Sequence, residues 1–180
     1  NRKSKITRIL SWLNYTFFAF FRIILSPKGT LVLLVSNPPL LGPIVLFLSK
    51  IRNFPYVVLI YDMHPDILIS FGVFREGSIP DRVWRVINKH VWEGASAVYT
   101  LGDVMAEKLT DQFDVNKTQL KYVGVIPPWA DTENIKPIEK SLNPLANELG
   151  QLYCTTVLYS GNMGISHDID SMLKAAKLLI

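Results

Sequence analysis

The stretch Tyr56-Val57-Val58-Leu59-Ile60-Tyr61-Asp62-Met63-His64-Pro65-Asp66 decides how this chain is read. Its first five residues are apolar, and its last six carry two carboxylic acids, a histidine and a proline. A short run that is apolar at every position suits a strand covered on both faces, as in a parallel sheet. Similar runs occur at 31–35, 97–100, 121–126 and 155–160, and helix-like patterns at 6–25, 40–51, 80–95, 103–113 and 168–180. Alternating strands and helices predict an α/β class with a doubly wound parallel sheet. In such open sheets ligands bind at the carboxyl ends of the strands, so the residues closing each run are the candidate site.

Asp62 and His64 follow the run 56–60 and could serve proton transfer or hydroxyl binding. A histidine flanked by two acids just past a strand is less often purely structural than a lone one; His90, inside a helical pattern, reads as surface or core. Ser36-Asn37-Pro38-Pro39 follows the first run, and Leu101-Gly102-Asp103 the third, with Asp103 placed to cap a helix. Val123-Gly124-Val125-Ile126-Pro127-Pro128-Trp129-Ala130-Asp131 exits rigidly through two prolines. There Trp129 is either a packing anchor or, with Asp131, part of a cleft.

The last of these segments is Val157-Leu158-Tyr159-Ser160-Gly161-Asn162-Met163-Gly164-Ile165-Ser166-His167-Asp168, in the order strand, glycine turn, helix. Gly161 and Gly164 permit positive φ and close backbone approach. Asp168 or Ser166 can cap the helix, and the turn's N–H groups can face an anion such as a diphosphate. An ordinary tight turn is the other reading of the same residues. The spacing is not G-x-G-x-x-G, which gives a nicotinamide cofactor no support. Together the five strand ends would line one cleft.

Charge is divided along the chain. The net charge is +4. No acidic residue precedes Asp62, while residues 1–61 hold eight Lys and Arg; the remainder holds eleven basic and fifteen acidic residues, a net of −4. The basic third also holds Trp12, Tyr15, Phe17, Phe18, Phe20 and Phe21. Bases among apolar aromatics suit an anionic membrane surface better than nucleic acid. Residues 9–25, with Ser11, Asn14, Thr16 and Arg22 inside the run, read as an interfacial helix, a core helix or, least readily, a membrane span. A single cysteine forms no internal disulfide and points to a reducing compartment. Cys154 itself, beside an apolar run, is expected to be buried.

At these strand ends the sequence resembles glycosyltransferase family 4 of the GT-B fold, and within it the bacterial exopolysaccharide, capsule and colanic-acid-type branch. The matching segments are Ser36 to Pro39, Tyr61 to Asp66, Val98 to Asp103, Val125 to Asp131 and Tyr159 to Gly164, in family order along nearly the whole chain. The resemblance implies two Rossmann-like domains: residues 1–131 on the acceptor side, a linker at 132–150, and at 151–180 the start of a nucleotide-sugar-binding domain. It implies sugar transfer, usually retaining, with no metal or other cofactor, from a nucleotide-sugar to a lipid-linked or other saccharide acceptor, at the inner face of the cytoplasmic membrane. Asp62 and His64 would act at the acceptor; Asn37, Pro38, Gly102, Asp103, Trp129 and Asp131 would line the cleft. Ser160, Gly161, Asn162, Met163, Gly164 and His167 would border the donor phosphates. The family's opening strand and later donor-domain residues do not match any part of the chain, so truncation at both ends and an inactive isolated piece are expected. Many relatives carry His-Asp where this chain has Tyr61-Asp62, with its histidine displaced to His64. Two further readings stay open: a non-catalytic remnant or membrane-surface module, and another sugar-nucleotide or phosphate enzyme on a similar fold.

Overall fold

Four of the five expected strands form, and all pair in parallel. A computed structural model describes residues 5–112, 122–161 and 168–179. The strands β1 (Val32–Val35), β2 (Tyr56–Ile60), β3 (Ala97–Thr100) and β4 (Val123–Val125) lie in the order β1-β2-β3-β4. Their register places Leu34, Val58, Val98 and Val123 in one row across the sheet. Because side chains alternate along a strand, this row and the flanking Tyr56, Ile60 and Thr100 share one face. That face is the buried one. The helices α2 (Leu41–Arg52), α4 (Ile79–Glu93) and α5 (Asp103–Gln112) add Val45, Leu48, Val91, Trp92 and Leu109 to the same core. The chain is therefore α/β with a Rossmann-like parallel sheet, as the apolar runs and their spacing require.

The helix termini follow from local sequence. α2 ends at Asn53, whose φ of +52° places it in the left-handed region that closes helices. Pro80 sits in the first turn of α4, where no intrahelical N–H is needed. α4 closes at Gly94, where a Cβ would lie 2.6 Å from the Tyr56 hydroxyl and 2.7 Å from a Leu46 methyl. Only glycine lets β2 and α4 approach this closely. The Tyr56 hydroxyl, buried there, donates to the Val91 carbonyl at 2.5 Å, and burial pushes its pKa up to about 12.

The first helix, α1 (Lys5–Ile24), packs on α2. Thr16 is buried, and Ala19, Phe20, Ile23 and Ile24 lean on the core. Its carboxyl end is held by Arg52: the guanidinium donates to the carbonyls of Ile23 (3.2 Å), Ile24 and Ser26 (3.1 Å). A cation on orphan carbonyls at a helix end opposes the negative end of the helix dipole.

The chain divides into two compact units, Asn1–Pro128 and Trp129–Ile180. In the second, a 3-10 turn at Lys140–Leu142 leads to α6 (Pro144–Glu148), where the pattern suggested only a linker. Asn143 caps α6 by accepting from the Leu145 and Ala146 amides. The expected strand at 155–160 does not form. A strand needs a ladder partner, and no other strand lies among the described residues of this unit, so Val157 and Leu158 are exposed. Cys154, just before that run, is likewise exposed rather than buried as expected, because the run beside it packs into no sheet among the described residues. Asp168 caps α7 (Ile169–Leu178) as expected, accepting from the Ser171 hydroxyl at 2.5 Å and the Ser171 amide at 3.1 Å; these two hydrogen bonds, the hydroxyl's foremost, hold its carboxyl below the usual range.

Candidate functional site at the carboxyl edge of the sheet

Parallel strands end on one edge, and the polar residues that close β1 and β2 meet there. The Ser36 hydroxyl accepts hydrogen bonds from the amides of Tyr61 (3.0 Å) and Asp62 (3.2 Å). The end of β1 thus fixes where the chain turns after β2. The next turn is tight: the His64 amide donates to the Asp62 carbonyl at 3.1 Å. The Asn37-Pro38 and His64-Pro65 peptide bonds are both cis. Past Pro65 a short helix, α3 (Asp66–Ser70), carries the chain away.

α4 supplies the other wall. Asn88 donates from its side-chain amide to the His64 carbonyl at 2.7 Å. Trp84 lies one turn earlier, its ring 5.7 Å from the His64 ring and 6.2 Å from Phe74. One more pair fastens the loop: Arg85 bridges Asp66 (2.6 Å) and the buried Asp81 (2.7 Å), while Asp81 also accepts from the Gly77 amide at 2.7 Å. The segment 62–66 is therefore held at its carbonyl, at its aromatic ring and at its closing carboxylate.

These groups enclose a recess of about 40 Å³ lined by Ser36, Pro38, Asp62, His64, Trp84 and Asn88, among others. At roughly 10–15 Å³ per water-sized position it takes about three or four waters, or the tip of a larger molecule, but not a sugar ring. The Nδ1 atom of His64 is buried and has no hydrogen-bond partner among the described residues. An orphaned buried polar atom costs about 1–3 kcal/mol, so its presence at a strand end marks a place for a ligand's hydroxyl or a water. Burial lowers the His64 pKa, and the nearby Asp62 carboxylate opposes that shift. The ring is thus neutral at pH 7, with one nitrogen able to accept a proton.

The remaining sequence candidates fall into three groups. Asn37 is exposed beside the recess, whereas Pro38 lines it. Gly102 and Asp103 lie at the end of β3 and do not line the recess. Asp103 is the first residue of α5, and the carbonyl of Gly102 accepts from the Ala106 amide, so Gly102 rather than Asp103 precedes the helix. An open groove of about 340 Å³ runs beside them, between Tyr61 and Met63 on one side and Val104 and Lys108 on the other. Trp129, Asp131, Ser160 and Gly161 belong to the second unit and are exposed. Asp131 accepts from the amide and side chain of Asn134 (3.0 and 2.8 Å), which lowers its pKa and gives it a turn-forming role. Gly161 takes φ +155°, a value glycine permits. Asn162, Met163, Gly164 and His167 lie outside the described residues. Among the described residues no group of three or more His, Cys, Asp or Glu could hold a metal.

Sequence reading missed Trp84, Asn88, Arg85 and Asp81. The only trace is their spacing: Asp81 with Arg85, and Trp84 with Asn88, are four apart and so share helix faces. Nothing in that spacing names His64 or Asp66 as the partner.

No protein-family model matches the chain, and no solved structure matches it. The chain is similar to a protein of Pseudomonas aeruginosa described as "Probable glycosyltransferase WbjE", at 26% identity over 156 residues. The match covers 84% of this chain and 37% of that protein, so the chain spans little more than a third of its relative's length.

Proposed function

We propose that this chain is the acceptor-side portion, with the beginning of the donor side, of a nucleotide-sugar-dependent glycosyltransferase of family 4. The observation that carries the reading is the likeness over 84% of the chain to a probable glycosyltransferase. The recess at the carboxyl edge supports it, because it gathers a carboxylate, a neutral histidine and a hydroxyl where open α/β sheets receive ligands. In this reading His64 and Asp62 receive and orient an acceptor hydroxyl, and His64 or Asp62 takes its proton as the glycosidic bond forms. The nucleoside diphosphate leaves from the sugar's anomeric carbon, its charge met by the turn at Ser160 to Gly164 and by His167. The acceptor is a lipid-linked saccharide, transfer proceeds with retention, and the product enters a cell-surface polysaccharide at the inner face of the cytoplasmic membrane. Proximity and charge stabilisation supply the acceleration, with no metal required. Residues 1–180 alone are not expected to turn over, since they correspond to little more than a third of the relative's length.

The test is transfer of labelled sugar from a panel of UDP- and GDP-sugars to lipid-linked acceptor, by the protein as its cells make it. Asp62→Asn is expected to lower the rate about 10²-fold or more, the usual contribution of a positioned acid or base, without loss of folded protein. Wild-type transfer by that variant would remove Asp62 from the chemistry. No consumption of any donor, together with vesicle binding, would favour the membrane-surface module, a reading supported by the exposed aromatics of α1.

A further inference from the structure

One face of α1 is spent on the core. Thr16 is buried and Ile23 half-buried, both on the side toward α2. At 100° per residue, Phe18, Phe21 and Leu25 fall on the opposite side, with Phe17 flanking them. All four are exposed, Phe18 to 64%. The phenylalanines touch one another edge to face, Phe17 with Phe21 at 4.8 Å and Phe17 with Phe18 at 5.8 Å, so they form one patch. The patch continues into an open apolar trough of about 600 Å³ between α1 and β1, with Arg22 and Tyr15 at its edge.

We propose that this face of α1 is a docking surface for an anionic phospholipid bilayer, on which the helix lies flat. Charge selects that occupant. All eight charged residues before Asp62 are basic; Arg22, which lines the trough, and Lys28, three residues past Leu25, are both exposed. In sequence, four of the eight (Arg2, Lys3, Lys5, Arg8) fall within residues 2–8, and no acid stands in the first turn of α1, where the helix dipole is already positive. That arrangement opposes an isolated helix and is relieved by an anionic plane. Clustered phenylalanines beside tyrosine and arginine give the interfacial pattern of apolar faces sunk to the headgroup level. No helix among the described residues is long and apolar enough to cross a membrane, so contact is along the surface. The inference stands apart from sugar transfer: a chain that binds vesicles without transferring sugar keeps this proposal and loses the other.

The experiment is co-sedimentation of the chain with vesicles of phosphatidylcholine alone and of phosphatidylcholine with equal phosphatidylglycerol, alongside light scattering without vesicles. Binding is expected to the anionic vesicles only, and to fall as salt rises. The triple variant Phe17→Ser, Phe18→Ser, Phe21→Ser should bind at least tenfold more weakly with an unchanged circular dichroism spectrum. Should that variant misfold, Arg22→Glu with Lys28→Glu, both on exposed positions, should give a similar loss. Equal binding to both vesicle types, or none, overturns the proposal. So does a doubled mass in the absence of lipid that the triple variant abolishes, since a second copy of the chain would then cover the face.

Discussion

His64 sits where two demands conflict. Its ring is enclosed by Trp84 and the end of β2, yet Nδ1 has no partner among the described residues. Burial lowers its pKa, so protons bind the unfolded chain more readily than the folded one. The sign follows: its effect on stability is nil above the ordinary histidine value of about 6.5 and becomes a loss as pH falls below it. Urea midpoints should therefore drop between pH 7.5 and pH 5, and His64→Gln should flatten that slope; an unchanged slope would show the ring is not the titrating group. Gly94 makes the second residue-scale case. Its φ of −77° suits any residue, so the constraint is steric, a Cβ landing on Tyr56 and Leu46. Gly94→Ala should cost about 1–3 kcal/mol, the usual penalty of overpacking, read as a lower urea midpoint. A more stable variant would mean that Tyr56 moves aside freely. His64 and Asp62 were legible as candidates because titratable side chains after an apolar run are conspicuous in one dimension. Gly94 was not, since its neighbours Tyr56 and Leu46 are distant in sequence.

At the scale of elements, the helices held to within one or two residues of their sequence patterns because periodicity and caps are local. What holds them in place is not local. Arg52 lies on α2 but satisfies three carbonyls at the end of α1. Arg52→Met keeps most of the side chain's bulk and removes the donors. It should destabilise the chain by about 1–2 kcal/mol, the range for a partly buried cation at a helix end, and lower the helical signal before global unfolding. No change in the urea curve would show that water satisfies these carbonyls equally well. The strand expected at 155–160 shows the opposite failure. Its composition is suitable, but a strand exists only in a ladder, and composition does not supply the neighbour.

For the whole molecule, the division falls after Pro128. Every residue from Val125 to Glu139 is exposed, so no packing protects that backbone. Brief chymotrypsin treatment should cut first after Trp129, which is exposed in this stretch, and release a piece ending there that keeps its folded spectrum. A first cut inside α2 or α4 would place the weakest point within the first unit instead. The amphipathic α1 belongs to this scale too, because its exposed aromatics lie outside its own core and the proposed bilayer is what would cover them.

The sequence by itself determined the class of fold, the order of the five longer described helices and the first four strands, the unequal charge, and Asp62 and His64 as the strand-end pair. Each is written in residues adjacent along the chain, where periodicity, caps and polar punctuation act. Only the tertiary structure decided that Ser36 ties the ends of β1 and β2, that Trp84 and Asn88 of α4 wall in His64, that Arg85 locks Asp66 through Asp81, and that residues 155–160 have no ladder partner among the described strands. Apart from Arg85 with Asp81, four apart, those are contacts between residues 19 to 26 positions apart, or partners that composition cannot supply, and they exist only once the sheet and its helices have packed.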